Sequence, residues 1–562
     1  MKLAKILISG LLLTTFTVAT FTGCGCTQYE TGNEKVYSYD EAMTELEAFN
    51  KEIKTDTKTP TMDIYDDETT NKALADISTF PITTQGEGEI NLEIAAPSEL
   101  SGSAPDDWIN VVAERFNNEK KTVGGKTVSV TVRKIASGET LTYMTESDYK
   151  PHLYIPSNSA WGEMLKAKGI NVETLSDKIL GNTAGILMEK ETYNTFIEKY
   201  KECTLDKVIE ATLAGDLNFA YTNPYTSATG LNAIASTLYA FDNKNPLSDN
   251  AKQKLLDYQK KSPPVAYTTG VLVNQASKGV INAMVMEEQA YTNKPELSNY
   301  VYTPFGIRHD HPLYTFDYVT SEEKEAAKEF MNYCLSDESQ KLGEEKGFGK
   351  HDDYKGQNTG LDGKGYLAAQ TIWKNAKDGG QPIIAVFVAD VSGSMDGTPI
   401  SKLKESLLAT KSYITSSNYI GLVSYATNVH IDLPIEKFDE KQKAYFSGAV
   451  KNFAVEDATA TYDAVLVAMK MIMDKKEEIP NAKTMLFVLS DGEQNRGYSL
   501  DRIAPIVGGL KIPVYTIGYN IKDDSREAKE LTRLSNINEA AMINADSEGL
   551  INQLRNLFNT QL

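Results

Sequence analysis

Apolar and polar positions alternate through "INLEIAAPS", with Ile90, Leu92 and Ile94 on one side and Asn91 and Glu93 on the other, which is the period-two pattern of a half-buried strand. The next stretch, "SGSAPDDWINVVAERFN", opens with turn residues. It continues as a helix that carries Trp108, Val111, Val112 and Phe116. A Gly124–Gly125 turn leads to a second strand, "VSVTVRKI", and "HLYIPS", "AGILMEK" and "GVLVNQ" read as later strands among amphipathic helices. Strands alternating with helices predict an α/β domain over residues 89–350. The polar, glycine-rich tract "GKHDDYKGQNTGLDGKG" interrupts the pattern, so residues 351–380 are expected to be a linker. Beyond it, apolar runs at 383–389, 419–425, 429–433, 484–489 and 513–518 alternate with helical patterns at 399–414, 440–450 and 461–474. Ile400, Leu403, Leu407 and Ile414 share one helix face. Short, continuous apolar strands fit a parallel sheet covered on both sides, so residues 381–562 are predicted to form a doubly wound, Rossmann-like domain.

The N-terminus follows a different rule. Lys2 and Lys5 precede an apolar run over 6–21, too short and too rich in Thr and Gly for a membrane span, and it ends in "FTGCGC". Residues 1–23 therefore read as a signal peptide. Gly23 before Cys24 resembles the lipobox of bacterial lipoproteins, although Phe21 stands where leucine is usual; the resemblance implies lipidation at Cys24 and anchoring to the outer face of the cell membrane. Residues 24–88 are polar and acidic and are expected to be a mostly disordered tether, with one short helix over 39–54 that lacks a sustained apolar face.

Composition narrows the classes. A chain of 562 residues exceeds one core, and 41% hydrophobic with 24% charged residues is globular. A formal charge of −20 excludes a nucleic-acid partner, whose phosphates demand a basic face. Four cysteines are too few for a disulfide scaffold; Cys203 and Cys334 either pair or stay as buried thiols.

The first candidate chemistry lies in "FVADVSGSMDG". Asp and Ser there suit a helix cap, but Asp390, Ser392 and Ser394 also place three oxygens beyond the carboxyl end of a strand, where doubly wound folds bind ligands. Asp491 ends another strand in "MLFVLSDGE", and Thr459 lies in "EDATATYDAV" before a helix, with Thr461 as its competitor. These segments, in this order, resemble the von Willebrand factor A (VWA) domain and its metal-ion-dependent adhesion site. The resemblance implies that Asp390, Ser392, Ser394, Thr459 and Asp491 hold Mg2+, or Ca2+ or Mn2+ in its place, and that a protein partner's Asp or Glu completes the shell. Hydroxyl and carboxylate oxygens suit such hard cations. The family's glycines before the threonine are Asp457 and Ala458 here, and a further carboxylate, Asp457 or Glu456, stands beside the site.

The first domain offers three hydroxyl-rich loops ahead of helices: Ser101 and Ser103, then Ser157, then Ser227 and Thr229. With "TNPYTSATGLNAI" and the closing stretch "TSEEKEAAKEFMNYCLSDESQKLGEEKGFG", they resemble the two-lobed, periplasmic-type extracellular solute-binding proteins. The resemblance implies a small polar solute held between the lobes, an oxyanion being favoured by the helix ends. It also implies Ser101, Ser103, Ser157, Ser227, Thr229 and Tyr225 as contacts, with Tyr267 and Glu288 as further candidates. Arg308 and the pair His309 and His311 either face the cleft or lie on the surface, the surface being favoured, and His430 is expected to be a structural histidine. No nucleophile elbow, P-loop or zinc-helix motif occurs, so binding is expected rather than catalysis. The expected role is a cell-surface lipoprotein that binds a small solute in its first domain and a protein partner in its second; the alternatives are the surface receptor of an ABC-type importer with a membrane permease as partner, or a pure adhesion and assembly protein.

Overall fold

The run Ile383–Asp390 is buried at every position and forms the middle of a sheet in the computed structural model, which describes residues 36–63, 74–261, 265–266, 269–492, 494–545 and 549–562. Cys24, the expected signal peptide and Tyr267 lie outside the described residues. Tyr419–Tyr425 and Lys483–Ser490 flank that strand in parallel, then Val514–Tyr519 and Met542–Ala545 continue one side. Alternate side chains feed two cores. Phe387 and Ala389 pack with Leu407 and Phe558, whereas Val386 and Val388 pack with Val465 and Ile503. This is the doubly wound arrangement expected. Val429–Lys437 departs from it, pairing antiparallel with Tyr419–Tyr425.

The sheet has an edge strand within the stretch expected to be a tether. Thr55–Thr57 pairs parallel with Val429–Lys437, and helix Tyr39–Glu52 packs against the same domain through Ala42, Leu46 and Phe49. Together with Ile53 these residues recur at helical spacing, so an apolar face does exist, one residue wide per turn. Ser38 and Glu41 close a capping box at its start. From residue 36 the described chain thus packs first on the C-terminal domain, leaves to build a two-lobed region, and returns.

That region has two lobes. The first carries a sheet in the order Ile82–Thr84, Lys126–Lys134, Ile90–Ala96, Leu153–Tyr154, Leu313–Phe316, Val172–Ser176; the second has Tyr300–Phe305, Ala184–Glu189, Ala283–Glu287, Phe219–Ala220. The chain crosses between them at 177–183 and again at 306–312. Gly306 sits in the second crossing at φ 68°, where a Cβ would meet Asn232 Oδ1 at 2.0 Å, so only glycine fits. "GVLVNQ" is not a strand but part of helix Thr269–Ser277, with Leu272 and Gln275 buried at i, i+3 spacing. An apolar run this short does not separate the two structures.

The expected linker holds helix Gly363–Ala376, and Trp373 within it is fully buried and donates to the Tyr221 hydroxyl at 3.0 Å. Glycine enables this approach, since a Cβ on Gly363 would collide with the Glu163 carbonyl. Lys374 and Lys377 reach on to carbonyls of the last helix, Leu550–Gln561, which also donates through Asn552 to Tyr143 at 2.6 Å and pairs Arg555 with Glu139. The two-lobed region and the C-terminal domain are therefore joined through a buried polar seam. Cys203 and Cys334 are both free thiols.

Candidate functional site

Asp390 ends its strand level with Tyr425 and next to Ser490, and both hydroxyls donate to its Oδ2, at 3.1 and 2.9 Å. Its Oδ1 accepts the Ser392 N–H at 2.9 Å. The Ser392 and Ser394 hydroxyls lie 3.1 Å apart, and Ser394 donates to Asp491 Oδ1 at 2.8 Å. Asp390, Ser392, Ser394 and Asp491 are thus brought into one hydrogen-bonded line across two neighbouring strand ends. Thr459 is buried in the loop that crosses between them: Glu456 N–H donates to the Val391 carbonyl, and the Thr459 carbonyl accepts from Asn495 and Arg496, just past Asp491. Ala458 precedes it at φ 61°, a left-handed conformation that glycine would adopt without strain.

The electrostatics are uncompensated. Asp390 is fully buried, and burial pushes its pKa up to about 6 against the lowering effect of its hydrogen bonds, with Asp491 raising it further. Burial raises Asp491 as well. Two carboxylates surrounded by neutral hydroxyls make an all-oxygen donor set, and that set fits a hard divalent cation.

The second site is a cavity of about 370 Å3 where the two lobes face each other. Of the expected contacts, Ser157, Ser227 and Thr229 line it. Ser101 does not, because its hydroxyl turns back to the Ala96 and Pro97 carbonyls. Ser103 is an exposed turn residue, and Tyr225 reaches away to the Gln370 carbonyl and lies tilted beside the Trp373 ring. Glu288 is committed to His351. Ser227 caps its own helix at Gly230 N–H while sharing hydrogen bonds with Thr222 and Thr229.

The charged groups on the cavity wall are Glu99, Asp106, Glu287 and Lys294. Three carboxylates stand against one lysine on the wall, a balance that opposes the expected oxyanion, while the helix ends and His311 behind Glu99 add positive charge. His309 and His311, expected on the surface, are fully buried in the second crossing. Arg308 is held by Asp310 and Asp352 and caps the Tyr354 carbonyl. Burial raises Asp106. Burial also pushes Glu99 up, but the hydrogen bond and charge of His311 more than offset it, leaving Glu99 below its ordinary value. Hydroxyl-rich loops alone do not reveal Glu99 and Glu287, although "PSELS" places Glu99 just past one strand and "VMEEQA" places Glu287 at the end of another.

Residues 100–349 match the family model described as bacterial extracellular solute-binding protein, and residues 385–557 match that of the von Willebrand factor type A domain. Similar curated proteins include inter-alpha-trypsin inhibitor heavy chain H3 of Mus musculus, 28% identical over 156 residues, which are 25% of this chain and 17% of the relative. An uncharacterized Synechocystis protein is 24% identical over 141 residues, 25% of this chain and 32% of its own length. The chain thus spans under a third of either relative. Solved structures similar to it include iron-bound HitA from Pseudomonas aeruginosa (15% identity, 52% of this chain, 99% of that one, TM-score 0.37). The sulfate-binding protein SubI from Mycobacterium tuberculosis has 14% identity over 46% of this chain and 86% of that one, with TM-score 0.33. A von Willebrand factor type A structure from Catenulispora acidiphila has 20% identity over 32% of this chain and 42% of that one, with TM-score 0.29. The chain carries an extracellular solute-binding domain followed by a VWA domain, families of binding and adhesion modules whose first member implies an extracytoplasmic location. Among the described residues, no helix is long and apolar enough to cross a membrane.

Proposed function

We propose that this protein is an extracytoplasmic binder, anchored by a lipid on Cys24, with two recognition sites. At the first, Asp390, Ser392, Ser394, Thr459 and Asp491 hold a divalent cation, Mg2+ above Ca2+ or Mn2+. The cation supplies an electrophilic point for an Asp or Glu carboxylate of a protein partner. The chain's own residues do the rest: Tyr425 and Ser490 fix the Asp390 carboxylate, and the serine pair orients Asp491. At the second site a small polar solute enters between the lobes. The role is recognition, not catalysis.

The observation that carries this reading is the hydrogen-bonded line from Asp390 to Asp491 around a carboxylate with no cationic neighbour. Mg2+ is expected to raise the melting temperature of the full chain and to have no effect on Asp390→Ala. An equal Mg2+ response in both proteins would sink the assignment. Lipidation is read separately: Cys24→Ala should release the chain from membranes into the medium.

A further inference from the structure

Resting on the reading of the interlobe cleft as the solute site, we propose that its solute is a first-row divalent transition-metal ion, taken between Glu99, Glu287 and Nε2 of His311. One ligand atom from each of these residues lies within 4.8 Å of the other two. The three come from separate parts of the fold. Glu99 belongs to the first lobe, in the helical turn Ser98–Ser101; Glu287 ends strand Ala283–Glu287 of the second lobe; His311 lies in the crossing between them.

His311 makes the case. Its Nδ1 donates to the Leu180 carbonyl at 3.0 Å, so Nε2 is the nitrogen that can take either a proton or a metal ion. That nitrogen is buried, makes no hydrogen bond, and sits 3.5 Å from Glu99 Oε1. Nε2 and Glu99 Oε1 face each other and need a positive species between them: a proton on Nε2, which makes His311 the charged partner of Glu99, or a metal ion that displaces it. A metal ion meets that need and recruits Glu287 as well. An N–H given to a backbone carbonyl is also how metal-bound histidines are usually held.

The carboxylates are set in the same way. Glu287 accepts from Asn182 Nδ2 at 2.6 Å and from His309 Nδ1 at 2.8 Å. His309 is fixed in that tautomer because the Asn158 and Asn232 amides both face its Nε2, at 3.3 Å each. Glu99 accepts from the Ser157 hydroxyl. The Oε1 of Gln289, on the same cavity wall, is another buried acceptor without a hydrogen bond. Orphaned acceptors suit a cation and repel an anion. An imidazole among carboxylates favours Mn2+, Fe2+, Co2+ or Zn2+ over Mg2+ or Ca2+.

Geometry adds a consequence. Bonds of about 2.1 Å hold tetrahedral ligands roughly 3.4 Å apart. Glu99 and His311 already stand at that spacing. Glu287 reaches it when the second lobe moves inward, so capture of the ion closes the cleft.

The test uses the full chain carrying Asp390→Ala, which silences the VWA site, titrated with Co2+ and followed by visible absorption and calorimetry. One Co2+ per chain is expected, with a visible band of nitrogen–oxygen ligation. Affinity should fall at least tenfold in Glu287→Gln and in His311→Gln, each checked for folding by circular dichroism. No Co2+ uptake by the Asp390→Ala chain would overturn the proposal, as would undiminished uptake by both cleft variants. If Co2+ fails but putrescine raises the melting temperature in a Glu287-dependent way, the metal is overturned while the cleft stands as a solute site. If neither acts, both readings fall.

Discussion

The two sites both take carboxylates out of bulk water and treat them in opposite ways. At the end of the VWA sheet, Asp390 meets only neutral donors and a second carboxylate, and burial drives its pKa up to about 6. In the cleft, Glu99 is only partly exposed, with 17% of its side chain accessible, but His311 beside it holds its pKa below the ordinary value. Burial penalises an isolated charge, and a built-in cationic neighbour reverses the balance. The VWA site is therefore incomplete until a cation arrives from outside. The cleft already contains a group on which positive charge can rest.

The two sites share one frame, and the largest expected effect comes from breaking it. Arg555→Met leaves Glu139 buried without its partner in the seam between the domains, both side chains being nearly inaccessible. Such a loss costs about 3–5 kcal/mol. Denaturant unfolding should show it, and the double variant Glu139→Leu/Arg555→Met should recover much of the loss. Unchanged stability in Arg555→Met would show the seam to be dispensable.

The opposite carboxylates predict opposite pH slopes. A carboxyl whose folded pKa is raised is most comfortable when protonated, so the metal-free protein loses stability as pH climbs from about 4 to about 6 through Asp390. Asp390→Asn should remove that loss, a gain on the order of 2–3 kcal/mol above pH 6 in chelator. Glu99 acts the other way: its lowered pKa contributes stability above the ordinary carboxylate range that is lost as pH falls through the folded value. Glu99→Gln should flatten the acid limb of the stability curve and leave the Asp390 limb in place. Parallel slopes in the two variants would erase the contrast.

The smallest expected effect concerns the loop that carries Thr459. Ala458 occupies a left-handed conformation at φ 61°. Ala458→Gly relieves that strain, and calorimetry should record a stabilisation of about 0.5–1 kcal/mol. Destabilisation would mean that the alanine methyl is held by contacts worth more than the strain.

Much of this architecture is legible in the chain. Period-two and continuous apolar runs located most strands, and "DVSGS" read directly because Ser392 and Ser394 follow Asp390 at alternate positions past a strand end. Where the reading failed, the signal was thin or ambiguous. Helix Tyr39–Glu52 shows an apolar stripe only one residue wide, and the glycine-rich tract conceals helix Gly363–Ala376, whose glycine at 363 permits close packing rather than flexibility. Ser101 and Ser227 both precede or enter helices, yet one turns its hydroxyl back to its own backbone and the other faces the cleft.

The sequence by itself determined the local elements, the order of the two domains and the grouping of Asp390, Ser392 and Ser394, because hydrogen bonding and side-chain periodicity act over a few residues. Only the tertiary structure decided the sign of the cleft. Glu99, Glu287 and His311 meet because the chain crosses twice between lobes, and whether a histidine lies on the surface or among carboxylates depends on what packs around it.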